Sequence, residues 1–242
     1  MLDVSWNFMD DTTHNERENR FPLPEDADSL FKEFNVDYTQ NAIIRTGIDK
    51  FFLYSDGYKT ASVNLFKQLD GSAYAANTMV YPLIFLNRHF LEIRLKELIS
   101  GLNFVAEHTY SFPNGHNINF LWNTYRKLIE SRPEKNLVDN EAILNVERLI
   151  IEFSSIDPTS FSFRYPVDTS ASRNPSLNIR NIDLQNFQNV MIKLFNFFDT
   201  QSEMVFYLID LTEEFISQMQ AEYQQEMQSY YGYWQTSANS TL

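Results

Sequence analysis

The chain contains no cysteine. That excludes disulfides, zinc–thiolate sites and cysteine nucleophiles, and it suits a cytoplasmic protein. Glycine and proline are scarce, 6 and 8 among 242 residues, which favours long helices over a turn-rich sheet protein. Basic residues are also few. Lys and Arg number 19 against 32 Asp and Glu, a formal net charge of −13. Such a balance makes a poor general binder of nucleic acid, because phosphate contact needs clustered Lys and Arg. RNA is disfavoured as a partner by charge and would need a local basic pocket. No uninterrupted apolar run is long enough to span a bilayer, and no basic-plus-apolar segment of the signal-peptide kind opens the sequence. The expectation is no membrane association. Four histidines give little material for a metal site, so neither a metal nor a cofactor is expected. No H-E-x-x-H, P-loop, G-x-G-x-x-G or G-x-S-x-G sequence occurs. Asp10–Asp11 and Glu213–Glu214 are adjacent pairs whose side chains point apart on regular elements, so they make poor metal clamps.

What is present is apolar and aromatic. Hydrophobic residues make up 43% of the chain, with 21 Phe and 13 Tyr, which predicts a Phe-rich helical core. The most informative stretch is Tyr81–Ile99, YPLIFLNRHFLEIRLKELI. Leu83, Leu86, Phe90, Ile93 and Leu98 recur at helical spacing, and Leu91 and Leu95 widen the stripe. Pro82 suits a first turn, and Gly101 is the expected stop. Arg88, Glu92 and Lys96 stand four apart, so they share a face, and His89 can reach Glu92. Two arrangements fit these residues: an ion ladder on a solvated face, or a buried polar cluster whose members must pair with one another.

The fold class expected is all-α, an up-and-down bundle with a long C-terminal helix and a short strand-like segment near 161–166. The chain reads as a single domain, 1–242. Within it, 1–40 form an N-terminal arm and short helix, 41–228 the bundle, and 229–242 an aromatic then polar tail. Pro24, Glu25 and Asp26 open the short helix, with Leu30, Phe31 and Phe34 on one face. Asn41 to Leu69 reads as one or two helices, with Gly57 as a candidate interruption. Asn114 or His116 is expected at the start of a helix marked by Ile118, Leu121, Trp122, Tyr125 and Leu128, which Arg132 and Pro133 end. Asp139 caps the next, with Ile143, Val146, Leu149, Ile150 and Phe153 inward. Phe161–Pro166 alternates as a strand does. Asp183 to about Gln228 is the last helical stretch, with a break expected near Asp199–Thr200.

The order of three short signatures resembles a HEPN-type helical domain, a family named for nucleotide binding in eukaryotes and prokaryotes. They are Arg88-His89-Phe90-Leu91-Glu92 with Leu95-Lys96, then Gly115-His116-Asn117 with Leu121-Trp122, then Phe163 to Asp168. The resemblance covers roughly 57–215. It implies an up-and-down helical bundle, often dimeric, and for many members a metal-independent ribonuclease in defence or toxin–antitoxin systems. Their usual signature is an Arg, four to six intervening residues, then a His. No Arg precedes His14, Arg88 directly precedes His89, and the nearest Arg upstream of His108 and His116 is Arg94. The nuclease motif is therefore missing, and the resemblance speaks to fold rather than activity.

Three functional readings follow. The first is a non-catalytic HEPN-like protein that works through a protein partner or a homodimer, in a bacterial defence or stress system. Its interface candidates are Phe215, Met219, Tyr223, Met227, Tyr230 and Trp234. The second is a divergent ribonuclease, with Arg88 and Arg164 stabilising phosphorane charge and His89 and His116 moving protons. Here one polar cluster would gather Arg88, His89, Glu92, Lys96, His116, Asn117, Arg164 and Asp168. Its architectural counterpart is the same cluster fixing the packing of three segments. The third is an acidic nucleic-acid mimic, with carboxylates spaced like phosphates on one face.

Overall fold

The structure is a computed structural model. It describes residues 23–32, 37–47, 50–69, 71–133 and 139–239, with backbone alone for 232–239. The chain divides into two units, Met1–Arg45 and Thr46–Leu242.

In the first unit, the expected amphipathic helix is absent from the described residues. Glu25 and Asp28 instead close a turn, in which the Glu25 N–H donates to the Asp28 carboxylate and the Asp28 N–H to the Glu25 carbonyl. Leu30 and Phe31 are exposed, and Phe34 lies outside the described residues. A single 3-10 turn, Tyr38–Gln40, is capped by Asp37, whose carboxylate accepts the Thr39 N–H at 3.0 Å. Burial explains the missing helix: a segment this short needs an apolar face packed on something, and none of its described residues is buried.

The second unit is all-α. Its helices are α1 (Phe51–Lys67), α2 (Ala73–Glu107), α3 (Ile118–Glu130), α4 (Asn140–Ile156) and α5 (Leu184–Asn239). α2 is the central rod, touching α1, α3 and α5, while α3 also touches α4. Nearly every residue from Leu83 to Leu102 is buried or half-buried. α1 begins ten residues later than Asn41 and runs unbroken through Gly57. It lies antiparallel to α2, pairing Ser55 with Glu97 and Ser62 with Asn87. α5 runs parallel to α2, shown by Phe90 against Phe195 at 4.8 Å and Arg94 against Ser202. Trp122 of α3 meets Phe198 edge-on at 6.3 Å, and the buried Tyr125 hydroxyl donates to Gln201 at 2.6 Å.

α2 departs from expectation at both ends. It starts at Ala73, capped by the Ser72 hydroxyl, so Pro82 sits inside the helix rather than in its first turn. Gly101 is not the stop. A Cβ there would overlap Val205 and stand 3.1 Å from Ile209, so the glycine makes room for the side chains of α5. The stop is His108, left-handed at φ 56, whose N–H donates to the Phe104 carbonyl at 2.8 Å.

α3 is capped by Asn117, which accepts the Phe120 N–H at 3.0 Å, and α4 by Asp139, which accepts the Glu141 N–H at 2.9 Å. α3 buries Ile118, Leu121, Trp122, Tyr125 and Ile129, and Leu128 packs beside them half-buried. Phe161–Pro166 is a set of turns rather than a strand. Asp157, at the end of α4, accepts the N–H groups of Phe161 and Ser162 at 2.7 and 3.0 Å. The Arg164 N–H then donates back to the Phe161 carbonyl at 3.0 Å. Among the described residues the only β-bridge joins Val167 and Pro175. α5 does not break at Asp199–Thr200. Asp199 binds cations from α1 and α2, and the Thr200 hydroxyl folds back onto the Asn196 carbonyl at 3.0 Å, a bond that a continuous helix accommodates.

Candidate functional site

α2 carries two polar clusters, both anchored in its buried middle. The first centres on Glu92, 2% exposed. One of its oxygens, Oε1, accepts the Lys96 ammonium at 3.0 Å and lies 2.8 Å from His116 Nδ1. The other, Oε2, lies 3.5 Å from Arg88 NH1. Burial pushes the Glu92 carboxyl up, but hydrogen bonds from Lys96 and His116 outweigh it and hold the group below its ordinary value. A carboxylate only accepts, so Nδ1 of His116 carries the proton in this contact.

Arg88 is 0% exposed. Its Nε donates to the Asp157 carbonyl at 3.3 Å and its NH2 to the His116 carbonyl at 2.5 Å. One guanidinium thus joins α2, the loop before α3 and the end of α4. Burial draws it down from its ordinary value, and Glu92 and Asp157 oppose that drift. The side chain of His116 is 66% exposed. An outward imidazole therefore rests on a buried carboxylate.

The other named residues make their direct contacts elsewhere, although the charges of Glu92, Arg88, Lys96 and His116 reach His89. His89 sits half-buried among rings, edge-on to Tyr58 at 4.5 Å and stacked on Phe85 at 5.6 Å. Burial lowers its pKa, more than Glu92 raises it. Arg164 donates to the Ser160 carbonyl and lies 5.8 Å over both Phe85 and Tyr165. Asp168 organises an exposed loop, accepting the N–H groups of Ser170 and Asn174 at 3.0 and 3.1 Å. Asn117 serves as the α3 cap. Of the eight residues, Arg88, Glu92, Lys96 and His116 meet. Of the catalytic candidates, Arg88 and His116 are hydrogen-bonded to each other, whereas His89 and Arg164 both lie against Phe85.

The second cluster has no counterpart in the sequence reading. Arg94, 1% exposed, donates to both Glu97 oxygens at 2.9 and 3.2 Å, to the Ser202 hydroxyl at 2.9 Å and to Asp199 at 3.2 Å. Lys59 of α1 reaches the same Asp199 at 2.5 Å. The guanidinium lies over Phe52 at 5.6 Å and Phe90 at 5.5 Å. Its one legible signal is the polar step Asp199–Ser202 in the Phe-rich run of α5.

No protein-family model, curated protein or solved structure matches the chain.

Among the described residues no group of three or more His, Asp or Glu side chains is placed to hold a metal, and no helix is long and apolar enough to cross a membrane. A pocket of about 530 Å³ opens between α4 and α5, lined by Ile84, Phe153, Phe163, Ile182, Phe187 and Met191, with Arg148 and Glu152 among its polar residues. The interface candidates lie on α5. Phe215, Met219, Tyr223 and Tyr230 are exposed and Met227 is half-buried, whereas the side chain of Trp234 lies outside the described residues. Among the α5 carboxylates, Asp199 is held by Lys59 and Arg94, and Glu203, Asp210 and Glu214 are exposed.

Proposed function

We propose that this chain is a non-catalytic, HEPN-like helical protein that acts through a protein partner or by self-association, in the defence or stress setting that the resemblance implies. The observation that carries this reading is Arg88. A phosphate-binding arginine must offer N–H donors to the outside, and Arg88 is sealed, with Nε and NH2 given to the Asp157 and His116 carbonyls and NH1 buried beside Glu92. The same four residues that resemble a family signature act here as a joint between three segments.

One observation favours a catalytic alternative, the divergent ribonuclease. His116 is exposed and oriented by Glu92 at 2.8 Å, the pairing that sets a general base. A single experiment separates the two. Purified full-length protein is incubated with structured and single-stranded RNA, and His116→Ala is run beside it. The proposed reading expects no cleavage above a buffer control in either. Cleavage by the wild type that His116→Ala abolishes would sink it. Size-exclusion chromatography with light scattering, run on the same material with and without partner proteins retained in purification, tests the association half.

A further inference from the structure

The face of α5 that packs on α2 does not stop where α2 stops. Val205 and Leu208 are buried against the bundle, and Gly101 of α2 faces Val205 and Ile209. The helices run parallel, so α2, ending at Glu107, finishes about level with Phe215. From Phe215 to Asn239 α5 continues for another 25 residues, about 37 Å at 1.5 Å per residue. Beyond Ile209 none of its described side chains is buried.

The apolar stripe nevertheless carries on. Leu208, Leu211, Phe215, Met219, Tyr223, Met227 and Tyr230 span 22 residues in six steps. The mean step, about 3.7 residues, tracks the face of a helix at 3.6 per turn and departs from the 3.5 of a left-handed coiled coil. Phe215, Met219 and Tyr223 are 52–64% exposed. Charge along this segment has one sign. No Lys or Arg follows Lys193, while Asp210, Glu213, Glu214, Glu222 and Glu226 do. At 100° per residue the seven occupy an arc from roughly 220° to 20°, with Glu213 beside that arc at about 60° and Glu222 and Glu226 on it at about 240° and 280°.

We infer that the distal half of α5 is a docking surface for a Lys- and Arg-rich amphipathic helix of a partner protein. Charge decides the occupant. A second copy would bring Glu213, Glu222 and Glu226 together with further carboxylates and no Lys or Arg to pair with them, which opposes pairing. The chain supplies no basic substitute from its own N-terminus, where residues 1–22 hold five Asp or Glu against two Arg. A helix with an apolar face and basic flanks answers both features at once. This inference rests on the reading that the chain acts through a partner.

The test uses the full chain and a designed probe. A 25-residue peptide with Leu and Phe at helical spacing and Lys elsewhere is labelled, and binding is followed by fluorescence anisotropy. A scrambled peptide of identical composition is the control. The amphipathic peptide is expected to bind at least about ten-fold tighter than the scrambled one. Met219→Gln with Tyr223→Gln should cost about ten-fold. Glu213→Gln with Glu222→Gln should weaken binding and flatten its dependence on salt. Circular dichroism of each variant confirms that the bundle is intact. Equal binding of both peptides would show charge attraction alone and overturn the surface. So would a self-dimer that Tyr223→Glu disperses, or a native partner that Met219→Gln with Tyr223→Gln still retains. The last result would remove the surface and leave the partner reading standing, whereas RNA cleavage abolished by His116→Ala would remove that reading.

Discussion

Arg88 brings a charge to a place with no exposure, and such a group is tolerated only when its surroundings are fixed around it. Arg88→Met is expected to cost about 3–5 kcal/mol in urea unfolding, because Glu92 loses a buried partner and the His116 and Asp157 carbonyls lose their donor. Adding Glu92→Leu should recover part of that loss, and an unchanged double variant would mean that the ion pair matters less than the carbonyl contacts. His89 gives a prediction with a sign. Its folded pKa lies below the ordinary 6.5 because burial among Tyr58 and Phe85 disfavours the cation. The unfolded chain then binds the proton more readily, so stability rises with pH between the depressed value and 6.5 and is lost as pH falls through that window. Urea titrations from pH 5 to 7.5 should show this slope in the wild type and a weaker one in His89→Phe. Glu92 works in the same direction at lower pH: its folded pKa is depressed, so its contribution is complete above the ordinary carboxylate range and lost on acidification below it.

At the scale of elements, α2 and α5 meet where Gly101 lets them. Gly101→Ala would set a methyl against Val205 and Ile209 and is expected to destabilise by about 1–3 kcal/mol, although alanine is the better helix former. The opposite change belongs at the end of α2. His108 adopts a left-handed conformation at φ 56, so His108→Gly should stabilise by about 1 kcal/mol, less what the Phe104–His108 ring contact at 6.4 Å contributes. Both positions show what the sequence could and could not reveal. Helices with local signals were readable: Asp139 before an apolar period is a cap wherever it occurs, and the i,i+4 spacing of Arg88, Glu92 and Lys96 placed them on one face. His116 joined them because it directly precedes a helix start. Signals that depend on a neighbour mislead. Gly101 looks like a stop until α5 is seen lying on it, and Asp199–Thr200 looks like a break until Lys59 and Arg94 are seen binding Asp199. Arg164 and Asp168 fell away from the cluster because Asp157 winds their segment into turns, and an alternation six residues long cannot distinguish turns from a strand.

Across the whole molecule, stability should be distributed as burial is. Leu83 to Leu102 of α2 form the spine, and the aromatic contacts of Phe90, Phe195, Phe198 and Trp122 join α2, α3 and α5. The distal half of α5 contributes no buried side chain among its described residues beyond Ile209. It stays helical because the packed half has already overcome nucleation, and propagation adds one hydrogen bond per residue fixed. Amide exchange should therefore fall into two classes, slowest along α2 and fastest in α5 beyond Phe215. A chain ending at Glu214 carries the argument to its limit. It removes no buried side chain among the described residues, so its unfolding free energy should stay within about 0.5 kcal/mol of the full chain. Its far-UV dichroism should fall by the 25 helical residues from Phe215 to Asn239. A lower Tm with the same loss of dichroism would mean that the distal helix folds back onto the bundle, and the stripe of Phe215, Met219 and Tyr223 would then be a core surface rather than a site waiting for a basic partner. An unchanged Tm would leave these apolar side chains with no structural role in the isolated chain, and an exposed apolar stripe on a helix whose charges share one sign is the kind of surface that association explains.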